Sequence, residues 1–182
     1  MRATRARVQR VRPEDAELLF AIRLRSLSTD PGAFSTTYEQ EVARGIEPWK
    51  ARATSASRDP HHATFLARDG DEVVGLATMI PCDEPGATEL VGMWVAPEVR
   101  RGGFGRELID ACLAWALEAG NDRVVLGVAS ANDGAARFYE RLGFTFTGAE
   151  SGPFGPQRMF VRHMVRSLRG GSGPVGGTLT GG

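Results

Sequence analysis

Apolar and polar residues alternate along this chain with two different periods, and each switch of period marks a new element. From Val8 to Val11 apolar positions are interleaved with polar ones, which reads as a short strand. Leu18, Leu19, Ile22, Leu24 and Leu27 then recur at helical spacing. Pro13 suits the first turn of that helix, and Glu14 and Asp15 sit favourably near its positive end. Asp30-Pro31-Gly32 breaks it. A second helix is expected over Ser35–Ala43, and a third from Pro48 that includes Trp49. Strands over Ala63–Arg68 and Val73–Ile80, joined by Asp69-Gly70-Asp71, make a hairpin signal. Pro81–Gly86 reads as a loop and Thr88–Val95 as the next strand. A helix over Gly105–Glu118 turns Leu108, Ile109, Cys112, Leu113 and Trp115 inward. A strand over Arg123–Val128, a helix over Asp133–Leu142 and a strand pair at Phe144–Thr147 and Gln157–Val165 complete the pattern.

This order predicts an α+β (mixed α/β) fold, with a mostly antiparallel first half. Residues 1–168 are expected to form one domain, and the glycine-rich segment 169–182 a flexible tail without a core pattern. Charge excludes some functions. Lys plus Arg and Asp plus Glu each total 22, so no bulk field attracts nucleic acid or an anionic membrane. Lys50 is the one lysine, and arginine carries the remaining positive charge, as a GC-rich genome would favour. No apolar run reaches the ~18 residues of a membrane helix, and the arginine-rich N-terminus lacks a signal core. Two isolated cysteines, Cys82 and Cys112, fit reduced thiols in a cytoplasm. Three histidines give no metal-ligand spacing, and no metal is expected.

The chemistry-bearing stretch is Val95 to Gly105, with the sequence Val-Ala-Pro-Glu-Val-Arg-Arg-Gly-Gly-Phe-Gly. It joins an apolar strand to a helix. Its glycines let the backbone turn tightly and approach a ligand closely. The helix N-terminus aims free N–H groups and its positive dipole end at the turn. Together these make an anion cradle suited to phosphates, with Arg100, Arg101 and Arg106 around it. Two phosphate binders do not fit. Arg106-Glu107 follows Gly105 where a Walker loop needs lysine and then serine or threonine. The dinucleotide fingerprint needs another glycine spacing and an acidic residue about 20 positions on.

The spacing Arg100-x-x-Gly103-x-Gly105 resembles the acyl-CoA signature of the GNAT N-acetyltransferase superfamily, and Val95-x-Pro97 and Leu108-Ile109 match its flanks. A second block agrees. Asn132-x-x-Ala135-x-x-x-Tyr139-x-Arg141-x-Gly143-Phe144 resembles the family's later motif, and it too follows an apolar strand. The resemblance spans about residues 8–166 and is strongest over 88–146. It implies a splayed mixed sheet of about seven strands flanked by helices, opened where the strands before Gly102 and after Asp122 part. Coenzyme A would enter that split. The pyrophosphate would lie on the backbone from Arg101 through Gly102, Gly103, Phe104 and Gly105 to Arg106, and the pantetheine arm along Met93, Trp94 and Val95. Asn132 would bond that arm or cap a helix, and both are compatible.

Direct acyl transfer needs an amine that loses its proton, a stabilised oxyanion and a leaving thiolate. The resemblance implies that Tyr139 serves the leaving sulfur, although the same position suits a core aromatic. Phe138 and Leu142, four apart, take the core face more naturally and leave Tyr139 toward the cleft. Glu89 is the candidate base, with a solvated strand-end glutamate as the alternative. Strict alternation would put Glu89, Val91 and Met93 on one face and Leu90, Gly92 and Trp94 on the other. Cys82 and Cys112 sit in no nucleophile motif.

The implied activity is transfer of acetyl from acetyl-CoA, the cosubstrate, directly to a primary amine of a small molecule or peptide N-terminus. A cytoplasmic bacterial enzyme is expected, without nucleic-acid or membrane partners; a homodimer is compatible. The acceptor should meet residues 14–58 and the loop Ala149–Pro156. His61, His62 and Trp49 are further candidates to touch it, but loop polarity and core packing are the simpler reading of them. A non-catalytic acyl-CoA-binding module is the main alternative.

Overall fold

The computed structural model describes residues 7–169. Most of the tail expected over 169–182 lies outside the described residues. Seven strands form a single sheet: β1 (Val8–Arg10), β2 (Ala63–Asp69), β3 (Glu72–Pro81), β4 (Ala87–Val95), β5 (Arg123–Ala129), β6 (Thr145–Phe154) and β7 (Met159–Ser167). They lie in the order β1-β2-β3-β4-β5-β7-β6. Among the described residues only the β4–β5 pair is parallel. Five α-helices flank the sheet: α1 (Ala16–Thr29), α2 (Tyr38–Arg44), α3 (Glu47–Arg58), α4 (Phe104–Glu118) and α5 (Asp133–Arg141). The expected mixed sheet of about seven strands is what the chain forms.

The periodic positions explain the packing. Leu108, Ile109, Cys112 and Ala116 make the buried stripe of α4, which lies on β2 and β3. On the other face α1 and α3 pack on β3 and β2 with Leu19, Ile22, Trp49 and Ala53 buried. Pro13–Asp15 form a single 3-10 turn that leads into α1. The second helix begins later than the expected Ser35, because Thr37 is a better stop. The Thr37 hydroxyl accepts from the Gln40 amide at 3.2 Å and the Gln40 side chain accepts from the Thr37 amide at 3.0 Å. This reciprocal cap satisfies two helix-end donors and fixes the start at Tyr38. The last strand pair is longer than expected, because β6 runs on to Phe154.

The feature that positions the site is a bulge in β4. Leu76 of β3 stands opposite Trp94, whereas Thr78, two residues on, stands opposite Val91, three residues back. The extra residue on β4 is accommodated at Gly92, whose φ of +63° favours glycine. The bulge reverses the alternation, and this corrects the face assignment made from strict period two. Glu89 and Val91 share a face with Trp94, whose indole turns to Asp30 beside α1. Met93 and Val95 point to the other face. A Cβ on Gly105 of α4 would lie 3.6 Å from the Met93 methyl, and one on Gly75 would meet both Val95 and Leu108.

Beyond the bulge the parallel pair comes apart. Ala87–Leu90 pair with Arg123–Leu126, and the pairing ends there. β5 continues against β7, with Gly127, Val128 and Ala129 opposite His163, Arg162 and Val161. The β4 backbone over 91–95 therefore has no strand partner on its β5 side.

Candidate active site

The gap between β4 and β5 opens into a cavity of about 530 Å³. Its β4 wall is Glu89 to Met93 and its β5 wall Gly127 to Ala129, with Asn132, Ala135 and Tyr139 of the α5 region above. A gap edged by unpaired strand backbone can take the amide groups of an extended ligand as a substitute strand.

One end of the gap meets the glycine turn. Pro97–Val99 form a 3-10 turn, and the Gly102 amide closes back on the Val99 carbonyl at 3.0 Å. Arg101, at φ +75°, and Gly103, at φ +89°, then swing the chain into α4. The amides of Arg101, Gly103, Phe104, Gly105 and Arg106 find no backbone acceptor among the described residues. They form a cluster of donors at the positive end of a fifteen-residue helix, which suits a pyrophosphate. The glycines serve close approach. A Cβ on Gly102 would stand 2.9 Å from the Val99 carbonyl oxygen, and one on Gly105 would stand 3.1 Å from the Phe138 ring of α5.

The arginines divide into different roles. The Arg100 guanidinium, expected beside the phosphates, is turned inward: Nε donates to the Val95 carbonyl at 2.9 Å and Nη2 donates to Asp30. The same Asp30 oxygen accepts from Trp94 Nε1 at 2.6 Å. Asp30 thus ties the end of α1 to both β4 and the turn. Arg101 makes no ion pair among the described residues, and Arg106 is exposed with only a loose 3.7 Å contact to Asp110. Arg7, which the sequence did not single out, braces the turn from outside. It donates to the Gly102 carbonyl at 2.9 Å, pairs with Glu107 at 3.0 Å and lies over the Phe104 ring at 3.7 Å.

Asn132 caps α5, its side chain accepting from the Ala135 amide at 3.0 Å, and also lines the cavity. Tyr139 corrects the expectation from helical spacing. It is buried, more deeply than Phe138, and its ring packs edge-on to Phe144 at 5.7 Å. The core position and the cavity position are the same position. Its hydroxyl has no protein hydrogen-bond partner among the described residues. Burial, with a smaller contribution from Cys112, pushes its pKa well above the ordinary tyrosine value. Cys112 is itself fully buried and its thiol is pushed up by the same cause, so it stays protonated and inert.

Glu89 faces the cavity from the β4 wall. Burial raises its pKa, and His163 of β7 opposes that rise. His163 is held by Ser151, its Nε2 lying 2.7 Å from the Ser151 hydroxyl.

A model of the acetyltransferase (GNAT) family matches residues 23–144. The chain belongs to this family. It is 36% identical over 136 residues to a mycothiol acetyltransferase of Thermobispora bispora, covering 72% of this chain but only 43% of that protein. It is also 33% identical over 118 residues to an uncharacterised N-acetyltransferase of Mycobacterium tuberculosis, covering 65% of this chain and 75% of that one. Among solved structures, a GNAT acetyltransferase of Streptococcus pneumoniae superimposes with a TM-score of 0.75 at 19% identity, over 88% of this chain and 97% of the other. YncA, a putative acetyltransferase of Salmonella typhimurium solved with acetyl-CoA, gives 0.66 at 20% identity, over 92% and 96%. At these identities the structural likeness is one of fold.

The cavity of this GNAT domain is also lined by two arginines that the sequence did not single out, beside Trp49 and one of the two histidines. Arg23 of α1, Arg52 and Trp49 of α3, and His62 all line the cavity, whereas His61 does not. Trp49 is a core aromatic as expected, yet one edge reaches the cavity. Phe154 and Met159, flanking the loop between β6 and β7, close the far side. Among the described residues no helix is long and apolar enough to cross a membrane.

Proposed function

We propose that the protein transfers an acetyl group from acetyl-CoA directly to a primary amine of a small molecule or a peptide N-terminus. The observation that carries this reading is the unpaired β4 backbone. Over 91–95 it leads from the cavity lined by Glu89 and Tyr139 to the turn whose amides at Arg101 and at Gly103 through Arg106 are free.

The turn amides hold the pyrophosphate, and the unpaired β4 backbone takes the pantetheine amides as a neighbouring strand would. A main-chain N–H of that stretch stabilises the oxyanion that forms on the thioester carbonyl. Glu89, with its raised pKa, is a better base than an exposed carboxylate, and it accepts the amine proton through water. Tyr139 hydrogen-bonds the departing sulfur. Its raised pKa makes complete proton donation harder, so the hydrogen bond to the thiolate is the larger part of its action. No protein nucleophile takes part.

Initial rates of thiol release from acetyl-CoA over a panel of primary amines test this. Tyr139→Phe should lower kcat about 10²-fold with the acetyl-CoA KM nearly unchanged. Full activity in Tyr139→Phe removes its role. Tight acetyl-CoA binding with no turnover of any amine favours a non-catalytic acyl-CoA-binding module.

A further inference from the structure

The acceptor end of the cavity carries more positive charge than its own carboxylates neutralise. Arg23 is nearly buried, its side chain 12% exposed. Its Nε lies 3.6 Å from Glu41, its Nη2 donates to Thr36 at 3.2 Å, and its guanidinium lies over the Phe34 ring at 4.5 Å. Glu41 is buried too, and Arg44 shares it at 2.8 Å. One carboxylate thus serves two guanidinium groups. Arg52 adds a third. It lies over the Trp49 ring at 4.4 Å and lines the cavity. Among the described residues no carboxylate or other acceptor reaches it. His62 lines the same wall, its Nδ1 3.0 Å from the Ser55 hydroxyl. Burial and then the charge of Arg52 push its pKa down, so it faces the cavity neutral. Glu89 lies on the β4 wall, where the amine is needed.

An amine alone gains nothing from unbalanced guanidinium charge; a cation is repelled by it. We infer that the acceptor carries a carboxylate as well as its amine, that Arg52, stacked on Trp49 and backed by Arg23, binds the carboxylate, and that the amine is thereby directed to Glu89. The acceptor class is an α-amino acid, a close derivative of one or a short peptide with a free carboxylate. This rests on the reading of the cavity as the acceptor site of an acetyltransferase. An aromatic face fixes the guanidinium plane and leaves its N–H edge for a two-point bond that fits a planar carboxylate.

The experiment compares α-amino acids with their matched amides as acceptors, by kcat/KM at fixed acetyl-CoA, in wild type and Arg52→Gln. The free acids should be preferred about ten- to a hundredfold, mainly through KM, and Arg52→Gln should collapse that ratio towards one. Equal or better use of the amides overturns the inference, and so does a ratio untouched by Arg52→Gln. A phosphate-bearing amine run in parallel separates the two anion chemistries, and preference for it over the free acids also overturns the inference. Direct titration of N-acetyl amino acids and their amides reads the same contact without turnover. A carboxylate preference there that Arg52→Gln abolishes supports the inference even if no acetyl transfer is found, a result that would sink only the proposed activity. Its absence contradicts the carboxylate site itself.

Discussion

Asp30 ends α1, and its carboxylate binds two groups beside the glycine turn, Trp94 Nε1 at 2.6 Å and the Arg100 guanidinium. Replacing it with alanine separates two contributions. Trp94 is 4% exposed, so its indole N–H would be left buried without an acceptor, which costs about 1–3 kcal/mol. The ion pair with Arg100 is half in solvent, at 46% and 31% side-chain exposure, and contributes about 0–1 kcal/mol. The sum is roughly 2.5 kcal/mol, which for a chain of this size lowers Tm by about 5–10 °C. Asp30→Asn keeps an oxygen for the indole and loses only the charge, so its drop should be about 0–4 °C. Asp30→Ala releases Arg100 and Asp30→Asn weakens its hold, and both loosen the turn that Arg100 anchors through the Val95 carbonyl. Coenzyme A affinity, read by calorimetry, should fall up to about tenfold. Thermal unfolding of both variants decides the matter. A Tm for Asp30→Ala within about 1 °C of wild type would refute the buried-acceptor reasoning. Equal losses in the two variants would place the energy in the ion pair instead of the indole.

Other outcomes follow from the same geometry. Glu89→Gln should cut kcat about 10²-fold and remove an acid limb of the pH–rate profile that lies above the ordinary carboxylate range. The stability sign is opposite. The folded pKa of Glu89 is raised, so the folded state holds more protons between the unfolded and folded values, and stability falls as pH rises through that window. Glu89→Gln should therefore gain stability relative to wild type above it, measured by denaturant unfolding across pH; a constant difference would contradict the burial argument. Gly103→Ala, at φ +89°, should cost about 1–2 kcal/mol and weaken coenzyme A binding, and an unshifted urea midpoint would show that the turn tolerates a side chain there. Cys112→Ala should keep turnover, since the fully buried thiol is protonated and the transfer proposed above is direct; loss of activity with normal unfolding would implicate a covalent route.

Features carried by neighbouring residues were legible in the sequence. The glycine turn, the α4 stripe and the cap at Asn132 depend on local spacing, and the structure forms each of them. Period two misled at Gly92, although a glycine inside a strand is itself a signal for a bulge. Tyr139 was set apart from the core because helical spacing gives a face but not its depth, and Phe144 covers it from beyond the helix. Arg100 read as a phosphate cation because its partner, Asp30, is seventy positions away. The basic wall of the cavity was not legible for the same reason: Arg23, Arg52 and His163 lie on α1, α3 and β7 and meet only in the folded chain.

A crystal structure of the protein with coenzyme A tests the central claim most directly. The pyrophosphate should lie on the amides of Arg101 and of Gly103 through Arg106, the pantetheine arm along residues 91–95, and the sulfur within hydrogen-bond reach of the Tyr139 hydroxyl. Coenzyme A bound outside the β4–β5 gap, or with its sulfur remote from Tyr139, would contradict the account.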